Sequence, residues 1–425
     1  MPAKRLSLIV SFHEDMNGTV QFDGSSSEAF PIKNGVKQGC VLAPTLFGIF
    51  FSLLLSHAFE DSDDGVYIHT RSSGGLFNLA RLRAKSKVLK VLIRELLFAD
   101  DAALAAHSEE ALQRLTDRFA AACKEFGLTI SLKKTEVMCQ DANNAPSISI
   151  DEHTLAVVDK FTYLGSTISS NLSLDSELDT RIGKAATAMA HLTKRVWDND
   201  MLTVNTKIKV YQAVVLSTLL YGSEAWALYS HQERGLNAFH LRCIRRLLGL
   251  TWQDRVTNID VLAKAGMPSI FTTLTTRRLR WLGHVSRMDD GRIPKDLLFG
   301  ELASGTRPTG RPALRYKDVC KRDLKAGSSN LLKLETAASD RVGWRTTIRR
   351  AAKASEKRRT TRWQKKRARR IERTEPASTP ARQQMWQVLR LPHWPAQPHN
   401  KLQPPDRIRT QNFMISRDRR SQQPI

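Results

Sequence analysis

Cysteine is sparse and scattered in this chain. Cys40, Cys123, Cys139, Cys243 and Cys320 make no CxxC pair and no short Cys/His cluster. That pattern argues against a disulfide-stapled secreted scaffold and against a zinc finger or knuckle, and it fits a reduced, intracellular setting, nuclear or cytoplasmic. No signal peptide is expected. The eleven histidines show no His-x-x-x-His or other paired ligand spacing. Long apolar runs are missing too: the stretch 46–55 is half the roughly 20 residues that a membrane span requires, so no membrane is expected among the partners. There is no internal repeat, which argues against a solenoid or propeller.

Acidic residues are also in deficit, with 42 Asp and Glu against 66 Lys and Arg, for a net charge of +24. The surplus is uneven. Residues 341–425 hold 23 basic against 5 acidic side chains, while the first 340 hold 43 against 37. A nearly balanced body with a polybasic end points to nucleic acid as the partner of that end. Lys365, Lys366, Arg367, Arg369 and Arg370 lie in its densest cluster, which reads as a nucleic-acid or nuclear-localisation patch. Trp363 within it reads equally as a base-stacking side chain or as part of a solvated helix. Beyond residue 375 come 8 of the 16 prolines, and high charge with little apolar content predicts a disordered tail over 351–425.

Most of the chemistry that can be read lies in the first half. Phe98-Ala99-Asp100-Asp101 sits between the apolar runs 92–97 and 102–106, which reads as strand, tight turn and strand, with both carboxylates at the tip of a hairpin. Taken alone, an Asp-Asp pair is usually a plain surface turn. On a rigid turn, however, two adjacent acids can share Mg²⁺, a hard cation that takes carboxylate oxygens together with substrate phosphates. Upstream, Asn34-Gly35-Val36-Lys37-Gln38-Gly39 leads to Pro44, which starts a helix apolar at Leu46, Phe47, Phe50, Leu53 and Leu54 and therefore expected to be buried. Downstream, Ser108 caps a second helix with Leu112, Leu115, Phe119, Cys123 and Phe126 at helical spacing, ended by Gly127. Phe126-Gly127-Leu128 and Lys133-Lys134-Thr135 follow, then Tyr163-Leu164-Gly165.

In this order and spacing, the Gln-Gly loop with its Pro-led helix, the Ala-Asp-Asp hairpin, the Gly-Leu…Lys-Thr segment and the Leu-Gly hairpin closely resemble the reverse transcriptase of LINE-type (non-long-terminal-repeat) retrotransposons. The resemblance covers residues 8–170 by motif. It continues more loosely to about 350 through Arg280-Trp281-Leu282-Gly283-His284-Val285-Ser286-Arg287-Met288. It implies an RNA-directed DNA polymerase with Mg²⁺ in a two-metal site, an RNA template, a DNA primer and deoxynucleotides. It further implies Asp100 and Asp101 as metal ligands and Lys134 as a charge stabiliser or proton donor at the leaving phosphates. Gln38, Gly39 and Phe98 would lie at the nascent base pair and primer end, with Tyr163, Leu164 and Gly165 gripping the primer.

The expected fold class is α+β. A partial palm of antiparallel sheet with backing helices (1–170) precedes a helical thumb-like region (171–255), a helical C-terminal region (256–350) and the basic tail (351–425). In the thumb-like region, helices are expected over 182–197, 206–228 and 232–248, with Val210, Val214, Thr218 and Tyr221 as one apolar stripe.

The family's site uses a third Asp from a neighbouring strand, and here only Asp15 and Asp23 precede Gln38, neither in that strand's context. A truncated, domesticated or decayed copy is therefore expected, lacking the fingers and first catalytic strand, inactive alone and open to a partner chain that supplies the missing strand. The alternative is a non-catalytic nucleic-acid-binding remnant.

Overall fold

The structure, a computed structural model, describes residues 3–32, 35–36, 39–84, 86–140, 145–305, 313–326, 334–374 and 412–417. Gln38 lies outside them. After helix α1 (Ala3–Ser11), the strands β1 (Asn17–Gly18), β2 (Gln21–Phe22), β3 (Ser25–Ser26) and β4 (Phe30–Pro31) nest as β2–β3 within β1–β4 around the Asp23-Gly24 turn. Helix α2 (Ala43–Phe59) begins with Pro44 in its first turn, where no backbone N–H is needed. Its burial differs from expectation. Ala43, Leu54, Ala58 and Phe59 are buried, but Leu53 is 59% exposed and Ile49 49%. The helix packs through one face, with Phe59 stacked on Phe119 and His57 meeting Glu125 at 2.6 Å.

Strands β5 (Val66–Thr70) and β6 (Leu89–Ile93) pair antiparallel, and β7 (Glu95–Phe98) and β8 (Asp101–Ala106) form the next hairpin. Helix α3 (Glu109–Glu125) follows as the sequence predicts. Ser108 Oγ accepts from the Ala111 N–H at 3.2 Å, and Leu112, Leu115 and Cys123 are buried. Then come β9 (Thr135–Gln140), β10 (Ser149–Ile150), β11 (His153–Thr154), β12 (Ala156–Val157), β13 (Lys160–Tyr163) and β14 (Ser166–Ser169).

From residue 175 the described chain is almost wholly helical. Helix α4 (Asp175–His191) leads to α5 (Val204–Val210), which runs through a π-turn at Tyr211–Leu216 into α6 (Ser217–Leu219). The buried stripe here is Ile208, Tyr211, Val215 and Leu219, not Val210, Val214, Thr218 and Tyr221; Val214 is 40% exposed and Tyr221 49%. Two apolar stripes lie side by side on this segment, and Tyr211 selects one of them. Its hydroxyl meets Nδ1 of the buried His240 at 2.8 Å, on α7 (Ser230–Leu247).

The chain continues through α8 (Asn258–Lys264), α9 (Ile270–Ser286), α10 (Ile293–Phe299), β15 (Glu301–Leu302), α11 (Tyr316–Ala326), α12 (Leu334–Ser339) and α13 (Arg341–Thr374) to β16 (Asn412–Arg417). Strand β15 joins β5, and the buried Arg81 donates to the Phe299 carbonyl at 2.6 Å, so the 66–83 segment packs with the C-terminal helices. Where composition predicts the start of a disordered tail, α13 continues to Thr374, because its first half buries Trp344, Ile348, Ala351 and Ala352. Residues 375–411 and 418–425, which make up most of the expected tail, lie outside the described residues. No described helix is long and apolar enough to cross a membrane.

The central sheet has the order β12-β9-β16-β8-β7. Strand β16 runs antiparallel to both β8 and β9, so these two are parallel to each other and begin at the same end of the sheet. Leu54, Leu104, Ala106, Leu112, Leu115 and Val137 fill the core between this sheet, α2 and α3.

Candidate active site at the hairpin end of the sheet

The tight turn between β7 and β8 is Ala99-Asp100, because Phe98 and Asp101 are the last paired residues. The carboxylates are therefore not equivalent, where the sequence places both at the tip. Asp100 is in the turn and exposed, whereas Asp101 opens β8 and is only 3% exposed. Ala99 adopts φ +54°, with no positive φ at Asp100, the pattern of a II′-type hairpin turn whose first central position favours glycine. An alanine in that region costs about 1–2 kcal/mol, strain held by the paired strands on either side. Phe98, 56% exposed, stands at the same tip.

Three further segments meet this end of the sheet. Lys134 closes a 3₁₀ turn (Leu132–Lys134) immediately before β9, the strand that starts level with β8. Half-buried Tyr163, on β13, donates its hydroxyl to the Leu96 carbonyl at 2.9 Å and so ties the β13–β14 hairpin to β7. Burial, with the Asp101 charge second, pushes the Tyr163 phenol up, keeping it a protonated donor at neutral pH. Gly39, exposed and at φ +92°, lies just ahead of α2. Asp100 also borders a cleft of about 630 Å³ lined by Leu46, Phe47 and Phe50 of α2 and by Phe119 and Phe126. The structure thus gathers Asp100, Asp101, Phe98, Lys134 and Tyr163 around one end of the sheet. The polybasic residues Lys365–Arg370 stand apart, exposed on α13.

The β13–β14 turn is Leu164-Gly165, both at positive φ (+49° and +79°), as a I′-type hairpin requires. Three residues that sequence reasoning did not assign to this site hold it. The Tyr221 hydroxyl donates to the Leu164 carbonyl at 2.9 Å, and the Arg181 guanidinium donates to the Gly165 carbonyl and lies 4.5 Å from the centre of the Tyr221 ring. Glu177 pairs with Arg181 at 2.7 Å and accepts the Thr167 N–H with its other oxygen at 2.7 Å. Glu177 and Arg181 are both buried. Their i,i+4 spacing was visible, but such pairs ordinarily read as surface pairs.

The donor set suits a hard cation: two adjacent carboxylates can hold Mg²⁺ alongside nucleotide phosphates. Among the described residues no group of three His, Cys, Asp or Glu is placed to hold a metal. Of the two strands beside β8, β16 has no carboxylate among its six residues, and β7 has only Glu95, which pairs with Arg94 at 2.7 Å.

Residues 2–168 match the family described as reverse transcriptase (RNA-dependent DNA polymerase). The chain is similar to a transposon-derived protein of Caenorhabditis elegans, 26% identical over 61% of this chain and 96% of that one. It is 25% identical to the RNA-directed DNA polymerase from mobile element jockey of Drosophila melanogaster over 61% of this chain. It is 22% identical, over the same share, to the probable RNA-directed DNA polymerase from transposon X-element of that fly. The matches span about a quarter (26%) of each of these two polymerases. Motifs, hairpin and relatives agree in supporting a likeness of residues 2–168 to the reverse transcriptase of LINE-type retrotransposons.

Proposed function

We propose that residues 1–170 act as the palm of an RNA-directed DNA polymerase, with 171–255 as thumb and 256–350 as a C-terminal helical region that buttresses both. The observation that carries this reading is the Ala99-Asp100 turn. It presents one exposed carboxylate and one buried one at the sheet end that also holds Lys134 and the Tyr163 hairpin. Reverse transcriptases use divalent metal ions, and here Asp100 and Asp101 would hold Mg²⁺. Once bound, the ion supplies positive charge against the transferring phosphoryl group and the leaving pyrophosphate.

This chain's own groups do the rest. Lys134 delivers a proton or a charge to the leaving phosphates. Gly39, without a side chain, lets backbone approach the nascent base pair, with Gln38 beside it. Phe98 packs at the primer end. Leu164 and Gly165 hold the primer strand from a turn that Glu177, Arg181 and Tyr221 keep rigid.

Among the described residues no third carboxylate joins Asp100 and Asp101 in a metal-holding group, so the chain as given is expected to extend a primer on an RNA template below detection. One missing charge-stabilising group costs about 10²–10³ in rate. Mg²⁺-dependent extension by the purified chain, abolished by Asp100→Ala, would contradict that. Asp418→Asn would then test whether the C-terminal segment supplies the third carboxylate.

A second reading, a nucleic-acid-binding remnant, draws on α13. Its exposed Lys357, Arg358, Arg362, Lys365, Lys366 and Arg369 line one groove, and Arg367 lies 5.5 Å from the centre of the Trp363 ring. Changing Lys365, Lys366, Arg367, Arg369 and Arg370 together to Gln should flatten the log–log salt dependence of duplex binding by up to about 4.5, at roughly 0.9 per phosphate contact. Unchanged salt dependence would remove this groove from the binding surface. Substitution is the right test because deleting 341–425 would also remove Trp344 and Ile348 from the core.

A further inference from the structure

We propose that the cleft between α9 and α10 holds one unpaired base of a single-stranded nucleic acid, stacked on Trp281 with its phosphate at Arg315. This rests on reading the chain as a nucleic-acid protein, and it adds a separate contact. The cleft shares no lining residue with the one at Asp100 or with the groove on α13.

The phrase Arg280–Met288 begins on α9, and the fold accounts for only part of it. Leu282 and Val285 are buried in the core, and Gly283 lets the Trp344 indole come close. Trp281 and His284 are left over. Trp281 is partly exposed and His284 exposed, with ring centres 5.4 Å apart. The Trp281 side chain packs on the edge of the core and forms one wall of a cleft of about 310 Å³. That is the small end of the range for ligand sites. Its indole N–H has no acceptor among the described residues, whereas those of Trp197 and Trp344 donate to the Met189 and Leu279 carbonyls. A tryptophan buried only for packing usually finds such a partner.

Pro294, Leu297 and Leu298 of α10 give the cleft an apolar side, and Arg315 and Lys317 give it charge. The fold uses Lys317, which donates to the Gly300 carbonyl at 2.7 Å and to Glu301 at 3.4 Å. Arg315 also pairs with Glu301, but through one nitrogen; its remaining N–H donors have no acceptor among the described residues. Two cations on one carboxylate leave a net positive charge at the cleft. Helix α9 adds to it, because it contains no acidic residue. Arg277 and Arg278 are engaged by the Leu220 carbonyl and by Asp323, whereas Arg280 is exposed and without an ion pair among the described residues. An aromatic face in an apolar cleft, beside a cation with donors to spare, complements a base and its phosphate. Single strands are held in this way, on stacking platforms flanked by positive charge. A duplex hides its base faces, and an uncharged apolar ligand would make no use of Arg315.

The test uses the full chain and two probes: a short oligodeoxythymidylate carrying 5-iododeoxyuridine, and a strand of the same length and charge without bases. Irradiation should crosslink the iodinated strand to Trp281, found by peptide mapping. Trp281→Ala should weaken binding of the oligodeoxythymidylate at least about fivefold and change that of the abasic strand by less than about twofold. Trp281→Phe keeps an aromatic face and should retain most of the affinity, so it separates stacking from folding if the alanine variant is unstable. Arg315→Gln should flatten the log–log salt dependence by about 0.7, the share of one phosphate on a single strand. No crosslink at Trp281 while the strand binds elsewhere, the result expected if the cleft serves a protein partner, would overturn the proposal and leave the polymerase reading standing. So would equal weakening of both strands by Trp281→Ala, or an unchanged salt dependence in Arg315→Gln. Binding of neither strand would overturn both.

Discussion

The sheet around Asp100 and the helical region beyond residue 175 use polar residues in opposite ways. At the hairpin end of the sheet the chemically informative groups are displayed: Asp100 and Phe98 are exposed, and the turn between them holds an alanine in a left-handed conformation. In the helices several charged groups are enclosed. Arg278 is 1% exposed, paired with Asp323, and its carbonyl accepts from the Tyr316 hydroxyl at 3.1 Å. Glu177 and Arg181 are buried behind the Leu164-Gly165 turn. On the proposed function, residue type at the hairpin is set by what it must touch outside the chain, whereas for the buried helical pairs it is set by what the fold must satisfy inside. Substitutions in the two regions should therefore fail differently.

The largest expected effect is in the helices. Asp323→Ala leaves the Arg278 guanidinium buried without its counter-charge and should cost about 3–5 kcal/mol, seen as a lower denaturant midpoint. A loss below about 1 kcal/mol would mean that the pair is not enclosed as described.

Next comes a pH effect. Burial holds the His240 imidazole down to about 4 from its ordinary 6.5, so it folds neutral. A depressed pKa contributes stability that is complete above pH 6.5 and is lost as the pH falls toward 4, by about 3 kcal/mol over that window. Replacing His240 with Phe should flatten stability between pH 6.5 and 4, even if the variant is weaker at neutral pH through loss of the Tyr211 contact.

Third is Gly283, where a methyl group would run into the Trp344 indole, whose N–H donates to the Leu279 carbonyl at 3.0 Å. Gly283→Ala should cost about 1–3 kcal/mol through overpacking. A neutral result would show that α9 and α13 can separate freely. Smaller and opposite in sign is Ala99→Gly. It relieves the positive φ at the turn and should stabilise the chain by about 1 kcal/mol or less. Destabilisation would argue that the turn is not left-handed in solution.

The same contrast explains what the sequence made legible. The Asp-Asp turn, the capped helix after Ser108 and the Leu-Gly hairpin were readable because turns and caps demand particular residue types at particular offsets. The buried stripe of α5 was not, since Tyr211 and Val215 compete with Val210 and Val214, and only the His240 contact from a distant helix decides between them. Gly283 sat in a recognisable phrase, but its reason, the close approach of Trp344 from about sixty residues away, is a packing fact. The burial of Glu177 and Arg181 was not legible, because it depends on the β13–β14 turn that they hold. The strand between β8 and β9 escaped prediction altogether, because its six residues lie in a stretch whose composition argued against structure.

The central claim is that the exposed Asp100 carboxylate binds nucleotide-associated metal while contributing little to the fold. It is tested most directly by the dissociation rate of a DNA primer on an RNA template, with and without the next complementary deoxynucleotide, in Mg²⁺. The account predicts that the nucleotide slows dissociation in the parent chain and that Asp100→Asn abolishes this, while shifting stability by no more than about 0.5 kcal/mol, as expected at an exposed position. Equal slowing in Asp100→Asn, or a loss of nucleotide response that merely tracks unfolding, would contradict it.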